Sequence, residues 1–561
     1  MMEYIVFFAA FGCFVIFVYV QGKLYERRYR RWFTEKVRGS FGKLSEKTVK
    51  IERFVRIPTF FWKHPQEGQI DDITWNDLDM DEVFRRMDYT YSSTGQEYLY
   101  YLLRTPNTEE GELEYLDKVV DYYMEHEKER VEIQLLMNDL GSTGKYSLYD
   151  YLDNMDSIGD CSNKKEILVN CLYIAFGLCL LFATELGIIG LIGTMVYQII
   201  SYTGIKKHID PYLTSIGYIL RLMYISGRVK QTGLAACPEL VKNIDKAKLE
   251  LARGSVGSSF MMYNSKQEAA KGSPLDVLID YVKMIFHIDI IIFNRTIKNI
   301  RRHVNKIDAL CIYMGFLDAA ISIGMFRASL ENGYCKPEFA EGDMKMTMLY
   351  HPLLEHPVKN SLSTGKSVLL TGSNASGKST FLRSVALAAL MGETVCTVCA
   401  GSYRAPFFRL YSSMSLRDSI EGGDSYYMAE IKAIKRILDG KKRGERILCF
   451  LDEVLRGTNT VERISASSQI LKSMAEGNII CFAATHDIEL TELLKDYYDN
   501  YHFDEEVAEG DVSFSYLLKE GKATTRNAIK LLQIMGYEQE IIGKANAQAE
   551  YFTTKGIWKL T

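Results

Sequence analysis

The sequence predicts a multidomain protein with all-α parts, one α/β part and transmembrane helices. Three observations lead there. An apolar run, Val368-Leu369-Leu370, opens into the glycine-rich segment TGSNASGKST and then a helical pattern. Residues 4–20 and 167–203 are apolar over lengths that suit a bilayer. Much of the remainder carries apolar residues at three- and four-residue spacing, the signature of amphipathic helices.

With 561 residues, 47% hydrophobic and 25% charged, the chain can bury several cores. A net charge of −4 carries no global nucleic-acid signature. Eleven cysteines lie scattered without a repeating framework, which suits a reducing compartment. Cys396 and Cys399 form a C-x-x-C, but no second pair or nearby histidines complete a zinc set, so two buried thiols on a strand are expected.

Residues 1–22 read as a transmembrane anchor. A positive leader and a small-residue cleavage site, which would mark a signal peptide, are missing. Lys23, Arg27, Arg28, Arg30 and Arg31 follow at once, which places residues 23–80, a basic juxtamembrane segment, in the cytoplasm. A basic arm for DNA is the rival reading of those charges. From 81 to 340 the pattern is mainly helical, interrupted at 167–203. That stretch is too long for one straight crossing at 1.5 Å per residue. Split at Thr184-Glu185 it becomes a transmembrane hairpin with lysines at both ends, Lys164-Lys165 and Lys206-Lys207, both cytoplasmic. Three crossings in all make a multi-pass protein of the cell membrane with its α/β part in the cytoplasm. A buried soluble hairpin is the alternative. Residues 341–510 read as α/β and 511–561 as helical.

The segment Gly372, Ser373, Asn374, Ala375, Ser376, Gly377, Lys378, Ser379, Thr380 is G-x-x-x-x-G-K-[ST] between a strand and a helix, a phosphate-binding P-loop. Its glycines let backbone N–H groups wrap a polyphosphate. Lys378 would reach the β/γ-phosphates of ATP, and the Ser379 hydroxyl would ligate Mg²⁺. Residues 446–453, RILCFLDE, form an apolar strand ending in two acids. Asp452 would hold Mg²⁺, and Glu453 would act as general base. Residues 479–486, IICFAATH, end a further strand in His486, whose place at a strand's C-terminal edge faces the ligand crevice. Before the helix that starts near Tyr426, Gly-Gly-Asp-Ser offers an N-cap hydroxyl at Ser425, either an ordinary cap or an anion site for a second subunit's nucleotide.

Taken together, these motifs resemble the MutS family of ABC-type ATPases. GSNASGKSTFLRS, GGDSYYMAEIKAI, LDEVLRGTNT and AATHDIEL each look like a family counterpart, as do Tyr350-His351-Pro352-Leu353, MDYTYSSTGQEYLYYLLRTP and LLKEGKATTRNAIKLLQIMGYEQEIIGKA. The resemblance implies a homodimer in which Ser425 touches ATP bound by the other subunit. It also implies an all-α lever/core domain that couples nucleotide state to DNA, an ABC-type P-loop ATPase with a mostly parallel sheet, and a helical C-terminal dimerisation tail. The chain departs from the family's pattern in three places. No room precedes residue 80 for a mismatch-reading domain. The lever carries an apolar hairpin. The glutamine expected after the P-loop helix is replaced by Glu393, a carboxylate expected to disturb how the site senses Mg²⁺ or water.

Two functions follow. One is a membrane-tethered ATPase whose levers bind DNA, with Lys230, Lys242, Lys246, Lys248, Arg253, Lys266 and Lys271 as phosphate contacts. The other is an ATP-driven membrane machine that acts on a protein partner, of unknown identity, without DNA.

Overall fold

The structure is a computed structural model. It describes residues 2–107, 109–154, 162–229, 242–244, 246, 281–373, 376–414, 426–508, 511–523, 529, 532–533 and 535–560. Two units emerge. The first is built from residues 1–65, 87–101 and 116–329, the second from 66–86, 102–115 and 330–561.

The described part of the first unit is helical and centred on the helix Val304–Ser329. Leu310, Met314, Leu317, Ile321 and Met325 are buried along one face and Ala319, Ile323 and Phe326 along the opposite one, so this helix is enclosed on all sides, with polar Asp318, Ser322 and Arg327 buried among them. Residues 93–101 approach it through glycine. A Cβ on Gly315 would lie 2.7 Å from Tyr98 Cβ and 2.8 Å from the Thr94 carbonyl, and one on Gly95 would run into the Asp318 carboxylate. That carboxylate is itself buried. It accepts from the Ser92 N–H at 2.8 Å, from Ser92 Oγ at 2.6 Å and from the Tyr91 N–H at 3.1 Å. Burial nevertheless pushes its pKa up to about 6. A second buried set links Arg53 to Glu97 at 2.7 Å and Glu97 to Ser147 Oγ at 2.8 Å.

The helices Lys164–Cys179 and Thr184–Val229 form an antiparallel pair in this unit. They approach closely where Phe176 seats against Gly190 and Leu180 against Gly187, positions at which any Cβ would collide. Their outer surface is apolar and open: Leu168, Ile174, Ile189, Ile192 and Ile200 are each more than half exposed. Among the described residues, two helical segments are long and apolar enough to cross a membrane. Thr184–Lys206 is only 11% buried, whereas Val304–Ser329 is 78% buried and is the core helix already described. The N-terminal helix runs unbroken over Met2–Gly39.

The second unit contains two sheets. The larger has the order β10-β9-β4-β8-β7-β6, comprising β4 (Ser367–Thr371), β6 (Arg409–Ser413), β7 (Ile447–Asp452), β8 (Ile479–Ala484), β9 (Tyr498–Ala508) and β10 (Asp511–Glu520). All neighbours are parallel except β9 with β10. Strands buried on both faces read as continuous apolar runs, as β4 and β7 do. Ile447, Cys449 and Leu451 of β7, with Ile479, Cys481 and Ala483 of β8, share one core with Ile434, Ile437, Leu471 and Met474 of the helices Tyr426–Lys442 and Thr460–Met474. Alternate residues turn the other way, where Phe450 stacks on Phe482. The smaller sheet has the order β1-β5-β2-β3, with β1 Glu338–Phe339, β2 Met344–Leu349, β3 Asn360–Thr364 and β5 Ser402–Ala405. The helix Lys378–Val395 touches β7 and β8 of the large sheet and β2 of the small one.

The sheet extends past residue 510, where sequence reasoning started a helical tail. β10 pairs with β9 through Glu520. The alternation Val512-Ser513-Phe514-Ser515 has a strand's period of two, and helix returns at Gln539–Lys555.

Candidate nucleotide site

Strand register builds the site. Across the three central strands, Leu370 of β4 and Asp452 of β7 both stand level with Ala484 of β8. The residues that follow each strand therefore leave the sheet at one edge: the glycine-rich loop after β4, Glu453 after β7, and Thr485 and His486 after β8. Ligand crevices of open α/β sheets lie at the carboxyl ends of such strands.

Positive φ angles shape the loop. Gly372 has φ +145° and Gly377 φ +104°. A Cβ on Gly372 would lie 2.9 Å from both the Phe503 carbonyl and Ser376 Oγ, and one on Gly377 would lie 3.1 Å from Tyr516 Cδ1. Gly377 caps the 18-residue helix Lys378–Val395. The Lys378 ammonium donates to the carbonyls of Gly372 and Ser373, at 2.7 Å each. Burial pushes its pKa down, while Asp452, Glu453 and Glu505 pull it back up. Ser379 and Thr380 are exposed at the helix start. Asn374 and Ala375 lie outside the described residues, as does Ser425.

Ser379 Oγ donates to Asp452 Oδ2 at 2.5 Å. Burial raises the Asp452 pKa, and neighbouring Glu453 adds to the rise, while the Ser379 hydrogen bond and Lys378 oppose it. Glu453 has φ +57°, unusual for a residue with a Cβ. Its N–H still donates to the Ala484 carbonyl at 2.9 Å, so the chain leaves the ladder only after this residue. Its carboxylate is held from two sides, by His486 Nε2 at 2.7 Å and by Arg456 Nε at 3.0 Å. Leu455, at φ +58°, continues the tight turn.

Two acids that sequence reasoning did not single out complete the arrangement. Glu430, buried on the helix Tyr426–Lys442, accepts the Leu455 N–H and so fixes the turn that carries Glu453. Its pKa is raised by burial and by Glu453. Glu505 of β9, also buried, accepts from Ser373 Oγ at 2.5 Å and braces the front of the loop. Glu430 sits in the segment GGDSYYMAEIKAI without having been singled out there. Glu505 stands in the charged run DEE, and only the pairing of β9 beside β4 brings it to the loop.

The residues fit a nucleotide triphosphate with a divalent cation. Among the described residues Ser376 Oγ is buried at the loop with no hydrogen-bond partner, so a donor is left over where phosphate oxygens would come. Ser379 and Asp452 offer a hydroxyl and a carboxylate, oxygen donors that suit Mg²⁺.

Glu393 lies elsewhere. It is one end of the helix away from Ser379, roughly 20 Å at 1.5 Å per residue. It is fully buried, and its Oε1 accepts the Phe408 N–H at 2.8 Å. Burial raises its pKa well above the ordinary carboxylate value, while the Phe408 N–H opposes the rise. The expectation that it disturbs Mg²⁺ or water in the site is overturned by this position. Cys396 and Cys399 are buried thiols, but they lie in the turn after this helix, not on a strand; Cys396 has φ +51°. Of the lysines proposed for DNA, Lys242 and Lys246 are described; Lys230, Lys248, Arg253, Lys266 and Lys271 lie outside the described residues.

Residues 368–553 match the family model "MutS domain V". The chain is 31% identical over 224 residues to the DNA mismatch repair protein MutS of Thermus thermophilus, covering 39% of this chain and 27% of that protein. It is 31% identical over 278 residues to its namesake from Pseudothermotoga lettingae, covering 47% and 34%. With that of Fervidobacterium nodosum the identity is 34% over 225 residues, covering 38% and 27%. The matches thus span about a quarter to a third of the length of these relatives.

Proposed function

The chain belongs to the MutS family through its nucleotide-site unit, and from that premise we propose that it is a membrane-tethered, dimeric, Mg²⁺-dependent ATPase. The observation that carries this reading is the level register of Leu370, Ala484 and Asp452, which sets Ser379 on Asp452 and leaves Glu453 and His486 beside them.

In this reading the loop amides and Lys378 bind the polyphosphate, and Ser379 and Asp452 hold Mg²⁺. The metal, when bound, neutralises phosphate charge and polarises the phosphoryl oxygens. Glu453 takes a proton from the attacking water, whose oxygen bonds to the terminal phosphorus as the bond to ADP breaks. His486 and Arg456 keep the Glu453 carboxylate in place, and Glu430 holds the turn beneath it. Ser425 serves the partner subunit's nucleotide. Closure of the dimer around ATP and its release after hydrolysis would bias the helical unit, a shift in population set by differential affinity for the γ-phosphate. Hydrolysis measured on the detergent-purified chain tests the assignment. Lys378→Ala should abolish both ATP binding and turnover, and unchanged turnover would refute it.

What the helices act on is the second part of the proposal. The relatives' printed name, DNA mismatch repair protein, supports DNA, bound through basic residues of 210–290. Binding of plain, mismatched and branched duplex should then weaken steeply with salt. A second reading is favoured by the open apolar face of 164–206: ATP-driven closure moves the membrane hairpin and acts on a protein partner. Absence of DNA binding at low salt, with turnover intact, selects it.

A further inference from the structure

A cleft of about 930 Å³ opens in the helical unit, entirely on residues 36–53, 89–96 and 142–145. Its size lies at the upper end of small-molecule sites. Six cations line it against two acids, Glu46 and Glu52. Two of the six are structural. Lys47 is neutralised by buried Asp88 at 2.7 Å, and Arg53 by buried Glu97 at 2.7 Å. Lys145 leans toward Glu52 at 3.5 Å. That leaves Lys36, Lys43 and Lys50, none of which has an acidic partner among the described residues, against the one remaining acid, Glu46.

One wall is the stretch 44–50, which belongs to no helix or strand. Among the described residues the N–H groups of Leu44, Glu46, Thr48 and Val49 make no hydrogen bond, so the wall offers backbone donors as well as charge. The lining also includes Tyr89 and Tyr91. Tyr89 Oη donates to the Lys43 carbonyl at 2.7 Å, which ties the start of the basic wall to the aromatic one. Ammonium groups, free amides and aromatic rings around one cleft are the ingredients of a phosphate-plus-ring site.

We propose that this cleft binds a soluble, nucleotide-sized phosphorylated ligand through Lys43 and Lys50, separately from the nucleotide site of the other unit. With residues 1–22 in a bilayer, as the proposed function has it, a lipid headgroup is disfavoured by distance. Lys36 stands 16 residues beyond Val20 in the unbroken helix Met2–Gly39, about 24 Å at 1.5 Å per residue, against a Debye length of about 8 Å at physiological salt.

The test is calorimetric titration of the detergent-purified full chain carrying Lys378→Ala, which silences the P-loop, with inorganic pyrophosphate and with ADP. Saturable binding is expected, weakened at least tenfold by adding Lys43→Glu with Lys50→Glu and kept by Lys43→Arg with Lys50→Arg. Both lysines are exposed, so their replacement leaves the fold intact, which a thermal melt confirms. No saturable binding, or binding indifferent to the glutamate pair, overturns the proposal. So does a lysine-dependent capture of phosphatidylglycerol vesicles or of a 20-base-pair duplex when pyrophosphate and ADP fail, which would give the cleft to a lipid surface or to nucleic acid.

Discussion

His486 Nε2 lies 2.7 Å from Glu453 Oε1, and the other Glu453 oxygen lies 3.0 Å from Arg456 Nε. A carboxylate gripped from both sides at the edge of a parallel sheet is pre-oriented, and its rotamer is not free to wander. Glu453→Gln keeps the shape and both contacts' reach but removes the basicity. It should still bind ATP and dimerise, while turnover falls by about 10²–10⁴-fold, the range for a general base. Nucleotide affinity and kcat measured side by side decide it, and retained kcat removes the base role.

The Ser379–Asp452 hydrogen bond marks where the metal is expected. Ser379→Ala should raise the Mg²⁺ concentration needed for half-maximal turnover well above that of the parent, with ATP binding in the absence of metal little changed. A magnesium titration of both proteins is the check. Equal magnesium dependence would take Ser379 out of the metal's coordination.

Glu393 should be silent in catalysis. Because it is buried at the far end of the P-loop helix, Glu393→Gln should leave kcat within about twofold, since a remote buried group touches neither substrate nor reacting atoms. Its effect should fall on stability, because the new amide N–H₂ is buried where, among the described residues, Oε2 has no partner. A large loss of kcat with unchanged melting temperature would contradict the structure's placement of this residue.

Asp318 gives the helical unit a pH signature. Its folded pKa of about 6 stands above the ordinary 3.8. A raised carboxylate pKa favours the folded state most below the ordinary value, and that contribution is lost as pH rises through about 6. The span is about 3 kcal/mol at 1.36 kcal/mol per unit. Relative to Asp318→Asn, the parent should therefore lose stability between pH 4 and pH 7. Denaturant melts of the two proteins across that range test it, and a constant difference would mean the buried carboxyl does not titrate there.

Gly95 is a packing constraint in the same place. A methyl group there meets the Asp318 carboxylate, which cannot retreat without giving up its bonds to Tyr91 and Ser92. Gly95→Ala should destabilise by about 1–3 kcal/mol or more, the usual range for overpacking, read as a lower denaturant midpoint. A midpoint equal to the parent's would show that the helices can part at no cost.

Much of the nucleotide site was legible in the primary structure because its chemistry is local. Gly372 to Thr380 must be contiguous to wrap a phosphate, and Asp452-Glu453 must end an apolar strand to reach the sheet's edge. The apolar run 167–203 was legible for the same reason: hydrophobicity over a length is a one-dimensional property. The tertiary structure decided whatever depends on which strand lies beside which. It put β8 between β4 and β7, so that His486 reaches Glu453 and Ser379 reaches Asp452. It put Glu505 of β9 on the loop and Glu430 under the turn that carries Glu453, two contacts that the local sequence does not announce. It also removed Glu393 from the site, because a helix carries residues 1.5 Å apart along its axis, and the distance from Ser379 is fixed once that stretch is one straight helix. The cleft of Lys43 and Lys50 belongs to the same class, since its walls come from segments up to about a hundred residues apart that only folding brings together.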